Sequence, residues 1–224
     1  MSTQNDIDKQ LVRVRPHGTR RRRSTSLDAA QPESSPLEEP MKATDILMEE
    51  HQLIERLLNA LEAAAQKLEQ GRATRPELFL EAVDFNLAFT DGCHHRKEEG
   101  ALFPALVAHG MPERTGPIVA LLHEHSQGRE YSGLVREAVR RWQAGDDTAR
   151  TLIVATVYQY VELLRQHIQK ENNILFQMAT RIIPPEAQDQ LVAAFERIER
   201  EDIGTGTKPK YRALLETLER EAWT

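Results

Sequence analysis

Apolar side chains return at three- and four-residue steps from Thr44 onward, through Ile46, Leu47, His51, Ile54, Leu57, Leu58, Leu61 and Ala65, and Gly71 marks a stop. That spacing predicts a first helix over about 43–70. A second opens after Arg75-Pro76 and carries Leu78, Ala82, Phe85, Phe89, His94, Glu98 and Leu102 to about Ala108, with a possible kink at Pro104. A third is expected from near Thr115-Gly116-Pro117 to Trp142, and a fourth from about Thr148 to Ile183, where Pro184-Pro185 ends it. Three short connections between four long amphipathic helices describe an all-α, up-down-up-down four-helix bundle over 41–183. Two further helices, about 186–202 and 210–222, form a C-terminal extension over 184–224; Leu191, Phe195 and Ile198 stripe the first, and Leu214, Leu215 and Leu218 the second.

The first 40 residues break this pattern. Four prolines, many Ser, Thr and Gln, and few apolar side chains predict a disordered tail, within which Arg20 to Arg23 form a basic run. The 224-residue chain has a formal net charge of −6, with the acidic excess in the helical body, which argues against nucleic acid as a main ligand. No apolar run approaches a membrane span, no export signal is evident, and the single Cys93 excludes an intrachain disulfide framework. A soluble cytoplasmic protein is the expectation.

Within the helices the chain repeats itself. His94-His95-Arg96-Lys97-Glu98-Glu99-Gly100-Ala101-Leu102-Phe103 returns as His167-Ile168-Gln169-Lys170-Glu171-Asn172-Asn173-Ile174-Leu175-Phe176, with His, Lys, Glu, Leu and Phe in register. Glu50-His51 stands 43 residues before His94, and Glu124-His125 stands 42 before His167. On a helix, His94 with Glu98, and His167 with Glu171, point to one side a turn apart, while His51 and His125 lie on the apolar faces of the first and third helices. Folding the bundle therefore brings four imidazoles and two carboxylates towards one layer. Two buried carboxylates need cations, and two divalent metals would supply them, each with two His and two carboxylate oxygens. The donor set suits iron, manganese or zinc.

Several neighbours compete with this set. His95 and Glu99 sit about 100° from His94 and Glu98 on a regular helix and are left outside the ligand set, since the repeat aligns His94 with His167; a role as extra ligand or support is the alternative. His123 is expected at the surface or in support of the centre, and Cys93 as a packed small hydrophobe. Tyr160 could reach a metal-bound oxygen species or a bridging Glu, or else pack in the core. Gly128 could leave space beside the metals, Lys97 and Lys170 are expected to face solvent, and His109 to cap a helix end.

The ordered motifs, from Glu50-His51 through HxxKEExxLFPxL and EHxxGRxY to HIxKENxxLF, resemble those of the hemerythrin-like, or HHE cation-binding, domain over about residues 43–180. The resemblance implies a four-helix bundle with a non-haem centre of two iron ions, ahead of zinc or manganese. It implies His51, His94, Glu98, His125, His167 and Glu171 as ligands, with dioxygen, nitric oxide or peroxide as the small partner. Two departures shape the expected activity. Oxygen carriers of the family take a fifth histidine from an HxxxH pair on the third helix, where this chain has Arg129 four residues after His125, and repair members carry an amino-terminal cysteine module, whereas residues 1–40 contain no Cys. The expectation is a protein that binds or senses the small ligand, with a peroxide-degrading enzyme or a metal-responsive regulatory module, its tail or terminal helices engaging a protein partner, as alternatives.

Overall fold

The computed structural model describes residues 42–202 and 207–224, and every regular element among them is helical. The proposed tail with Arg20 to Arg23 lies outside the described residues, as does the stretch 203–206. Helix α1 is Ala43–Glu69 and ends at Gly71, whose φ of 68° is the left-handed conformation that glycine supplies at a helix stop. Helix α2 spans 76–108 with Pro76 in its first turn, and α3 is Pro117–Gln143, again opened by a proline. Helix α4 spans 149–182, α5 is Pro185–Asp202 and α6 is Thr207–Trp223.

Helix α1 packs on α4, α4 on α3, and α3 on α2, so the first four helices form the expected bundle. Helix α6 fills the groove between α1 and α2, placing Tyr211, Leu215, Leu218 and Ala222 in the core with Leu57, Leu61, Phe79, Phe85 and Phe89. Its Glu219 receives both arms of Arg56 at 2.7–2.8 Å, and Glu221 receives Arg75. Helix α5 packs on α1 and on the middle of α2, and its Leu191 and Phe195 join a second core with Leu47, Leu102, Leu106 and Phe176. Between these two apolar cores lies a layer of buried polar side chains. No helix among the described residues is long and apolar enough to cross a membrane.

Helices α2 and α4, which carry the two repeated segments, both depart from α geometry at that layer. Glu98–Leu102 and Glu171–Leu175, equivalent in the repeat, are π-helical, and α2 has a further π stretch at Asn86–His95. A π turn closes hydrogen bonds from i to i+5, so it takes more residues and rotates each by less than the 100° of an α-helix. Gly92 fits this wider turn: a Cβ there would lie 3.0 Å from the carbonyl oxygen of Leu87, five residues earlier.

Candidate metal centre

Two groups of buried donors occupy the polar layer. One is His51, His94, Glu98 and Glu171; the other is His95, His125, His167 and Glu98, and within each group the donor atoms lie within 4.8 Å of one another. All six residues expected from the motifs converge here, and Glu98 belongs to both groups. His95 is the addition. On an α-helix it would point away from His94, but the π stretch reduces the rotation between them and admits both imidazoles. The two donor groups thus contain two and three histidines, where two and two were expected.

The donor atoms face a common interior. Nε2 of His94 and His95, both oxygens of Glu98 and Oε1 of Glu171 are buried without hydrogen-bond partners. Such orphaned atoms are costly in a folded protein unless something else meets them. Meanwhile Glu98 lies 3.6 Å from His94 Nε2 and 3.4 Å from His125 Nε2, and the two oxygens of Glu171 lie 3.1 Å from His51 Nε2 and 3.2 Å from His167 Nε2. Imidazole nitrogens and carboxylate oxygens aimed at the same points, with no thiolate among them, fit two divalent cations of the iron, manganese or zinc type.

The remaining letters of the repeat hold the imidazoles in place. Glu50 accepts from His94 Nδ1 at 3.2 Å and Lys97 donates to its other oxygen; Glu124 accepts from His167 Nδ1 at 3.0 Å and Lys170 donates to its other oxygen. For the histidines of the two Glu-His pairs, support comes from the opposite half of the chain. His51 Nδ1 meets Asn172 at 2.8 Å and its ring stacks on Phe176, whereas His125 Nδ1 meets Glu99 at 2.7 Å and its ring stacks on Phe103. With Nδ1 committed in this way, each ring turns Nε2 to the centre. The sequence held these supporters in plain view, since Glu50 and Glu124 precede His51 and His125, but pairing them with His94 and His167 required the helix order in space.

Some expectations change. Lys97 does not face solvent: it is fully buried, because α5 covers its face and adds Glu199 at 3.0 Å to Glu50 as a second partner. Lys170 keeps partial exposure. Tyr160 is buried and donates to Asn86 rather than to a Glu of the centre. Together with His95, His125, Gly128, Arg129 and Leu164 it lines a narrow crevice with no room for a water molecule. Arg129 spans the mouth, bonding Asp91 at 2.7 Å and Glu99 at 2.6 Å. His123 is exposed, and His109 closes its helix by bonding the Ala105 carbonyl at 2.8 Å. Cys93 is buried, and that burial pushes its thiol up to about 12, which fits a packing role.

Proton affinities report the same electrostatics. Burial opposes charge on His167, yet Glu171 and Glu124 outweigh it and raise the imidazole to about 10; His51 and His125 are likewise raised against burial by the carboxylates beside them. His95 is driven the other way by burial and by the neighbouring imidazoles. Protons thus compete with metal for the same Nε2 atoms. Uptake of a divalent cation at pH 7 is expected to release at least one proton per chain, with apparent affinity rising as pH climbs towards about 10. A pH indicator in weakly buffered protein would register it, and cation uptake without acidification would contradict it.

Comparison with known proteins agrees with this geometry. Residues 42–179 match the model of the hemerythrin HHE cation-binding domain. The chain belongs to that family. Its metal-binding character follows from the family and from the two donor groups together. An uncharacterised protein of Mycobacterium bovis and one of Mycobacterium tuberculosis are each 23% identical over 175 residues, 78% of this chain and 68% of theirs. An iron–sulfur cluster repair protein of Musicola paradisiaca, YtfE, is 31% identical over 90 residues, 39% of this chain and 40% of that protein. No solved structure matches the chain significantly.

Proposed function

We propose that this hemerythrin-like chain is a non-haem di-iron protein that binds or senses a small diatomic molecule or peroxide. The observation that carries the reading is the sharing of Glu98 between two buried donor groups, which calls for two cations side by side. His51, His94, Glu98 and Glu171 would hold one iron, and His95, His125, His167 and Glu98 the other. Such a pair supplies two one-electron redox equivalents and open coordination positions to an incoming ligand. The chain's own residues restrict what arrives. The crevice beside His95 and His125 has no room for a water molecule, and Arg129 at its edge is tied to Asp91 and Glu99, so even a diatomic or peroxide reaches the centre only when these side chains move.

Loading the protein anaerobically with ferrous iron tests the reading. About two irons per chain are expected, with an oxygen-induced near-ultraviolet band; reversal on removing oxygen marks a binder or sensor, and steady oxygen evolution from peroxide marks an enzyme. His94→Ala and His167→Ala should each abolish two-metal stoichiometry. Retention of two tightly held metals in both variants would sink the assignment.

The similarity to a protein named for iron–sulfur cluster repair supports a second reading, in which the same centre serves repair of damaged clusters. Restoration of activity to an oxidatively damaged iron–sulfur enzyme by the iron-loaded protein would favour it.

A further inference from the structure

The internal repeat is broken at two places within the metal layer, and both breaks favour the same side. His95 aligns with Ile168, so one donor group gains an imidazole that the repeat denies the other. Glu99 aligns with Asn172. These two side chains perform the same task, accepting from His125 Nδ1 at 2.7 Å and from His51 Nδ1 at 2.8 Å, but one acceptor is a carboxylate and the other a neutral amide.

We propose that the two cation positions differ in affinity and fill in order, the His95, His125, His167 and Glu98 position first, with Glu99 and Asn172 as the positioning residues that set the gap. The inference rests on the reading of this layer as a two-metal centre.

Both carboxylates inside the layer reach imidazoles of both positions, although Glu171 is grouped with His51 and His94 alone. Glu98 belongs to both groups, and the two oxygens of Glu171 face His51 on one side and His167 on the other. What remains unshared is two imidazoles against three. The supporting carboxylates of His94 and His167 are matched as well, Glu50 with Lys97 and Glu124 with Lys170. Arg129 withdraws some charge from Glu99, as the lysines do from Glu50 and Glu124, so among the four imidazoles aligned by the repeat only His51 has a neutral acceptor behind it. A carboxylate on Nδ1 raises the basicity of Nε2 towards a metal, and removing such a partner lowers affinity by about 10- to 100-fold.

Titration of the metal-free full chain with Co²⁺ under nitrogen, in competition with a chelating indicator, reads both steps. The wild type is expected to bind two ions with affinities at least about 10-fold apart. Asn172→Asp, nearly isosteric at a half-buried position, should tighten the weaker step by about 10-fold and leave the tighter one unchanged. Glu99→Gln should weaken the tighter step by a similar factor, and far-ultraviolet dichroism of each metal-free variant should match the wild type. Two equal affinities in the wild type, or an Asn172→Asp variant with both steps unchanged, would overturn the ordering while leaving the two-metal centre standing. Absence of any Co²⁺ uptake would overturn both.

Discussion

Glu98→Ala is expected to reduce tightly bound divalent metal from two per chain to none. Most ligands in the layer serve one position, but Glu98 sits in both donor groups, with one oxygen near His94 and the other near His125. Its removal takes a donor from each cation and also takes away a negative charge that holds two dications near one another in a medium of low polarity. Affinity at both positions should fall by more than about 100-fold, beyond the range seen when only a supporting hydrogen bond is lost. His51→Ala is the contrasting case, since His51 belongs to one group and its loss should spare the other metal. Metal analysis after gel filtration distinguishes the two; a Glu98→Ala chain that retained one full equivalent would refute the shared role.

Lys97→Met is expected to destabilise the metal-free protein by about 3 kcal/mol, the lower end of the cost of stripping a partner from a buried ion pair. Lys97 is 0% exposed and Glu50 2% exposed, so water cannot replace the lost ammonium. The loss is held to the lower end because Glu50 retains His94 Nδ1 at 3.2 Å. Methionine fills similar volume, so little of the effect comes from a cavity. Thermal unfolding followed by circular dichroism should show a drop of about 6–12 °C. Adding Glu50→Gln removes the stranded charge and should restore part of it; a Lys97→Met drop below about 2 °C would show that the pair carries little stability.

Helix boundaries were legible because their signals are local. Pro76 and Pro117 open helices, Gly71 closes one, and three- and four-residue apolar steps mark the buried faces. The convergence of the six residues expected from the motifs was legible for a related reason, since a four-residue step sets His94 with Glu98, and His167 with Glu171, on one side of a helix. His95 was not, because a π turn changes the meaning of adjacency and no residue pattern announced one. Lys97 was misread for a different reason. Its position beside Glu98 predicts a side chain turned from the centre, which is correct, but whether that direction meets water depends on α5, which approaches from about a hundred residues away in the chain.

The crossed support of the Glu-His histidines has a mechanical meaning. His51 on α1 leans on Asn172 and Phe176 of α4, and His125 on α3 leans on Glu99 and Phe103 of α2. Each donor group likewise draws on more than one helix, so with cations bound all four bundle helices would be tied through a single knot. No helix could swing outward without surrendering a ligand. Metal release and opening of the bundle then become one event, and the grip of the centre on its ions is also the latch that keeps the helices shut.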